Sequence, residues 1–308
     1  MLQWVPSGAK LSSPSTLVSD EARGALDFGA VLAGLRSFSL TWGDGAGQRP
    51  SLLNEDELQY HSAGLTDVGQ RRKLNEDAFL VDDVLGLYVV ADGMGGHAAG
   101  EIASQEAVDT VHGMVSRGHA ALERVAQGDT SEASLRAAIR VVESAVQAAT
   151  YMVFGLAQHD PDQQGMGTTV SVLAMCGDYG ITAQVGDSRI YLIRGHRANS
   201  LTEDHTLVAW QLKQGIITES EAARSPHRNV ITRAVGSREY VQVDTGFFEV
   251  QPSDCFLLCS DGLHGYLQED EIPEIIDMGP KGATQRFVHI ANSRGGRDNI
   301  TAVVVSVH

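Results

Sequence analysis

The sequence predicts an α+β protein, a layered sandwich in which sheets pack against helices. Strand-like runs rich in Val, Ile, Leu and aromatic residues recur along the chain. The helix-period patterns are grouped between those runs instead of alternating with them one to one, which argues against strict βαβ units. One of the helical patterns is a single apolar stripe, the mark of a helix lying on a sheet.

The first strands are expected at 78–81 and 85–91, the second carrying Leu87-Tyr88-Val89-Val90-Ala91. A helix follows at about 99–115. Another is drawn by Leu135, Ile139, Val142, Val146, Ala149 and Val153, whose alternating spacings of four and three put them on one face. Strands are then expected at 169–176, 181–185 and 189–193, the last two joined at Gly186-Asp187-Ser188 as a hairpin. Further strands fall at 241–250, 255–259 and 300–307, with helices at 269–278 and 281–292. His205 is expected at a helix start, with Asp204 as its cap.

Residues 1–58 differ in texture. Ser12-Ser13-Pro14-Ser15 and Gly43-Asp44-Gly45-Ala46-Gly47 punctuate short apolar pieces such as 30–35. They are expected to form a loosely ordered extension with one short helix, ahead of a folded domain spanning 59–308.

Composition narrows the partners. The chain is 43% hydrophobic and 20% charged with a net charge of −16, which argues against a nucleic-acid backbone as ligand. No apolar run approaches the roughly 20 residues needed to span a bilayer, and the N-terminus lacks a basic stretch followed by a continuous apolar segment. The three cysteines, Cys176, Cys255 and Cys259, each sit inside an apolar run and are expected as buried free thiols. A cytoplasmic chain without a membrane partner is expected.

Five aspartates stand at the ends of strand-like runs. Asp77 closes Asn75-Glu76-Asp77, and Asp92 follows Val89-Val90-Ala91 and opens Gly93-Met94-Gly95-Gly96-His97. Asp187 follows Gln184-Val185-Gly186, Asp261 follows Leu258-Cys259-Ser260, and Asp298 precedes Asn299. Each alone is an ordinary turn signal. Together they would repel one another severely without a cation between them, so the pattern points to hard divalent metals.

These segments, with Thr66-Asp67-Val68-Gly69 through Arg72, Gly167-Thr168-Thr169, Gly186-Asp187-Ser188-Arg189, Thr202-Glu203-Asp204-His205, Cys259-Ser260-Asp261-Gly262-Leu263 and Arg297-Asp298-Asn299, resemble the motifs of the type 2C (PPM) metal-dependent protein serine/threonine phosphatases in their bacterial form. They occur in the family's order over about residues 60–308. The resemblance implies a four-layer α-β-β-α sandwich, two central antiparallel sheets flanked by helices. It implies two Mn²⁺ or Mg²⁺ ions, with Asp92 bridging both and the Gly93 carbonyl on one. Asp261 and Asp298 would complete the other ion's shell, Glu76 and Asp77 would act partly through water, and Asp187 with Asp261 would hold a weaker third ion. All-oxygen ligands suit Mg²⁺ or Mn²⁺ better than zinc.

The implied reaction is hydrolysis of phosphoserine and phosphothreonine by a hydroxide bridging the two ions, with no protein nucleophile. Arg72 would grip the phosphate oxygens. Eukaryotic members carry His directly after the Asp-Gly pair, where this chain has Met94. His97, three positions later, either protonates the leaving oxygen or packs the loop. Residues 207–229 match the family's variable flap, which either selects substrate or is simply a surface helix and turn. A monomer is expected, reversing the action of a serine/threonine kinase on phosphorylated proteins.

Two other readings are weaker. Gly93-Met94-Gly95-Gly96-His97-Ala98 partly matches a dinucleotide-binding fingerprint. Asp92 would oppose a pyrophosphate there, however, and Asp109 falls inside a helix and not at a strand end. A non-catalytic binding module would be betrayed by a missing metal ligand, and none is missing.

Overall fold

A computed structural model of the chain describes residues 58–95 and 99–308. The expected extension up to residue 57 and the expected general acid His97 lie outside the described residues. Two antiparallel sheets form the centre. In the first, β1 (Tyr60–Asp67), β11 (Ile300–Val307), β10 (Cys255–Cys259), β7 (Arg189–Arg194) and β8 (Arg197–Ser200) lie side by side in that order. The second runs β2 (Asp77–Asp82), β3 (Leu87–Met94), β5 (Val170–Cys176), β6 (Tyr179–Val185) and β9 (Asp244–Glu249), with the two-residue β4 (Gly167–Thr168) paired to β3.

Side-chain alternation on these strands builds three cores, and hence four layers. On β3, Leu87, Val89 and Ala91 pack with Val111, Val142 and Val146 of two long helices, α1 (Ala99–Ala126) and α2 (Glu132–His159). Tyr88 and Val90 face the other way, into an inter-sheet core with Phe256, Leu258, Val303 and Val305. On β10 and β11, Leu257, Cys259, Ala302 and Val304 turn outward to Phe287 and Ala291 of α7 (Gly279–Ser293), beside the short α5 (Asp261–His264) and α6 (Ile272–Ile276). Burial on both faces explains why these antiparallel strands read as continuous apolar runs; a sheet with one wet face would alternate. The four-layer sandwich is therefore present.

The stripe on α2 lies where its spacing put it, and Ser131 caps the helix by accepting from the Ser134 N–H. Other expectations need correction. The expected hairpin at Gly186-Asp187-Ser188 does not form: β6 pairs with β5 and β9, whereas β7 pairs with β10 and β8. The chain instead crosses from one sheet to the other, turning at Gly186 with φ +106°, a conformation L side chains rarely adopt. The strand expected at 241–250 is only Asp244–Glu249, and the helix expected at 269–278 is a 3₁₀ turn at Glu269–Glu271 followed by α6. β1 and β8 were not expected, their residues being too polar and small to give a strand signal. Thr206, not Asp204, caps α3 (Leu207–Lys213). Among the described residues no helix is long and apolar enough to cross a membrane.

Candidate active site

The acidic residues gather where the two sheets meet at one end of the strands. Asp77 and Asp92 are direct partners across the β2–β3 ladder. Asp77 reaches over to the other sheet, where its Oδ2 accepts from Ser260 Oγ at 2.8 Å and Thr301 Oγ1 at 2.6 Å. Its Oδ1 is buried with no hydrogen-bond partner, an expensive condition for a carboxylate oxygen that nothing compensates. Asp261 opens α5 directly after β10, and Asp298 stands just before β11. The sheet-to-sheet crossing brings Asp187 to the same cavity as these two.

Backbone fit holds the set in place. Asn299 stitches the loop before β2 to β11: its Oδ1 accepts from the Glu76 N–H at 2.8 Å, and its Nδ2 donates to the carbonyls of Val68 and Leu74 at 3.1 and 2.9 Å. Gly93 donates from its N–H to the Glu76 carbonyl at 3.0 Å. A Cβ on Gly93 would stand 2.1 Å from the Gly100 carbonyl and 2.5 Å from that of Glu76, so no larger residue fits. Thr169 Oγ1 accepts from the Asp92 N–H, and Thr168 Oγ1 donates to the Asp92 carbonyl, each at 2.9 Å. The sequence offered these hydroxyl groups only as motif members, because a Ser or Thr has no spacing signature of its own.

The electrostatics match the crowding. Burial, and then the charges of Asp77, Asp261, Asp187 and Asp298, push the Asp92 carboxyl well above the usual range. Burial lifts Asp77 to about 7 and, reinforced by Asp261, lifts Asp187 to about 7. Asp261 and Glu76 are raised for the same first reason. Arg72 is the cation at this cluster. It donates from Nη2 to Asp298 Oδ2 at 2.8 Å and lies 3.7 Å from Glu76, with its side chain 47% exposed. Among the described residues these six carboxylates, Glu76 included, have ion pairs to Arg72 alone, and leave negative charge that a hard, oxygen-seeking cation would neutralise. Among the described residues no three His, Cys, Asp or Glu side chains stand close enough to enclose an ion unaided. The fit to metal thus rests on donor type, crowding and the unpartnered Asp77 oxygen.

Two residues to which the sequence reading gave no individual role stand beside this cluster. His264, on α5, donates from Nε2 to the Asp187 carbonyl at 2.9 Å, and burial lowers its pKa to about 4, keeping it neutral. Arg189 makes a two-pronged bond to Asp204 at 2.8 and 2.7 Å. His205 is buried at the base of the flap instead of starting a helix. Its Nδ1 accepts from the Gly186 N–H at 3.1 Å and its Nε2 lies 3.1 Å from Asp244. The flap itself comprises α3 and α4 (Glu219–Arg224), neither with a buried residue. Val208, Leu212 and Ala222 of the flap line the same cavity, of about 740 Å³, as Asp187, Asp261 and Asp298.

A profile of the family described as Protein phosphatase 2C matches residues 69–299. Among curated proteins, the chain is similar to protein phosphatase PhpP of Streptococcus pneumoniae, at 37% identity over 251 residues covering 79% of this chain and 96% of that protein. It is equally similar to the serine/threonine phosphatase stp of Listeria monocytogenes, 37% identical over 250 residues, or 80% of this chain and 95% of that one. Among solved structures it resembles the catalytic domain of the serine/threonine protein phosphatase PstP in complex with 2 manganese ions. There the TM-score is 0.69 and the identity 31%, over 81% of this chain and 99% of that one.

Proposed function

Because this chain belongs to the protein phosphatase 2C family and is a phosphoprotein phosphatase, we propose that it hydrolyses phosphoserine and phosphothreonine in proteins with two Mn²⁺ or Mg²⁺ ions, opposing a serine/threonine kinase. The observation that carries the reading is the crowding of Asp77, Asp92, Asp187, Asp261 and Asp298 at one junction, with a buried Asp77 oxygen left unpartnered. The manganese-bound PstP relative supports the choice of ion. Glu76, Asp77, Asp92, the Gly93 carbonyl, Asp261 and Asp298 would hold the two ions, and Asp187 with Asp261 a weaker third. When bound, such ions supply Lewis-acid activation of water near neutral pH and offset phosphate charge.

The chain's own residues do the remaining work. Arg72 offers a planar fork to the phosphate oxygens, sharing or leaving its bond to Asp298 as substrate enters. Water oxygen attacks phosphorus, the bond from phosphorus to the seryl or threonyl oxygen breaks, and that oxygen takes a proton from His97. His264 is unsuited to the task, being buried, neutral and committed to the Asp187 carbonyl. The flap, whose Val208, Leu212 and Ala222 line the cavity, would limit water around the phosphoryl group. The catalytic domain spans 59–308 and acts as a cytoplasmic monomer, with 1–58 a separate extension.

The test is phosphate release from a phosphothreonine peptide after chelation, with Mn²⁺, Mg²⁺, Ca²⁺ or Zn²⁺ added back singly. Recovery with Mn²⁺ or Mg²⁺ is expected. No recovery with any ion would overturn the reading.

A further inference from the structure

Resting on the phosphatase reading above, we propose that this cavity carries a second anion subsite, formed by Arg228 and Arg297 on its lining. It reads a carboxylate or a second phosphate close to the phosphoryl group that is removed. The cavity, at about 740 Å³, is far larger than a phosphoryl group and falls within the range of peptide-sized ligand sites. Asp187, Asp261 and Asp298 of the acidic cluster line it, yet so do four arginines. Two of them are committed: Arg189 to Asp204, and Arg294 to Glu271. Among the described residues, Arg228 and Arg297 have no carboxylate partner.

Arg228 and Arg297 both line this one cavity and, among the described residues, neither is neutralised by a carboxylate, so both are available to an incoming anion. Both are solvent-exposed and stand on different segments, Arg228 on the flap and Arg297 in the loop leading to Asp298. A substrate anion lying between them meets two planar donor forks suited to carboxylate and phosphate alike. The apolar flap wall of Val208, Leu212 and Ala222 lowers the local dielectric and strengthens that contact. The same pair repels a lysine or arginine at the equivalent position, so preference arises from attraction and exclusion together.

The experiment compares kcat/KM at saturating Mn²⁺ for phosphothreonine peptides that differ only in neighbouring residues: glutamate, phosphoserine, alanine or lysine. Glutamate or phosphoserine should exceed alanine by roughly 1.5- to fivefold, the range expected of exposed ion pairs, and lysine should fall below it. Added salt should compress the spread. A gain with glutamate identifies the carboxylate as ligand, and a gain confined to phosphoserine identifies the second phosphate. Arg228→Glu should reverse the order, favouring lysine, and Arg297→Gln should shrink it. Arg197→Glu, on β8 and away from the cavity, should keep it. Equal rates for all four peptides in the wild type, or an unchanged order in Arg228→Glu, would overturn the subsite. Failure of the wild type to hydrolyse any of them would instead overturn the phosphatase reading itself.

Discussion

Replacing Asp92 by asparagine removes one charge from a cluster in which each neighbouring acid raises its proton affinity. Two opposite effects should follow from that single change. Activity should fall by about 10³-fold or more, since a neutral amide would be a poor ligand for the proposed cations, whose contribution is several kcal/mol. The metal-stripped protein should meanwhile melt higher than the wild type, because a repelled, desolvated carboxylate has gone. Chelated thermal melts beside peptide hydrolysis check both, and an Asp92→Asn protein with a lower chelated Tm would mean that Asp92 is held by interactions other than repulsion. At Arg72 the expectation is different. Its guanidinium is exposed and bonded to Asp298, so Arg72→Ala should chiefly raise KM for phosphopeptides, as loss of ground-state binding does. A fall in kcat with KM unchanged would show that it acts only in the transition state.

The flap is fastened at its base more than along its length. The His205 ring accepts from the Gly186 N–H through Nδ1 at 3.1 Å and faces Asp244 through Nε2 at 3.1 Å, while α3 and α4 bury no residue. His205→Ala should therefore free residues 207–229, speeding proteolytic cleavage there several-fold with little change in Tm; unchanged cleavage would mean the flap is held elsewhere. At this scale the limits of sequence reading are also plain. The α2 stripe was legible because a 3.6-residue period is a direct record of packing. The gathering of the acidic residues was legible because five aspartates at strand ends share one residue type and one kind of position. The sheet to which each strand belongs was not: β6 and β7 are adjacent in sequence and look like a hairpin, yet the positive φ at Gly186 sends them to different sheets. That crossing is what brings Asp187 to the cavity. Ser260 and Thr301, which hold Asp77, were invisible as anchors because a hydroxyl partner is set by three-dimensional contact alone.

Across the whole molecule, fold and function pull against each other through the sheet junction. A carboxyl whose pKa rises on folding keeps its proton longer in the folded chain, so stability falls as pH rises from its ordinary value of about 3.9 through the folded value. Asp77 and Asp187, both lifted to about 7, place that loss up to and just beyond neutrality. His264 works oppositely, since its pKa of about 4 makes stability fall as pH drops below the ordinary histidine value. Between about pH 6.5 and pH 8 His264 contributes little, being mostly neutral folded or unfolded, so the chelated protein should gain Tm on acidification across that window. Mn²⁺ should raise Tm more at the upper end, where the carboxylates are ready to bind it. Flat melts across the window would contradict the charge account. The most direct measurement of the central claim is equilibrium Mn²⁺ binding to the chelated wild type and to Asp92→Asn, alongside phosphothreonine peptide hydrolysis by the same samples. Two ions bound per wild-type chain, with binding and turnover lost together in a folded Asp92→Asn, is the result expected. Full turnover by Asp92→Asn, or by a wild type that binds no metal, would contradict it.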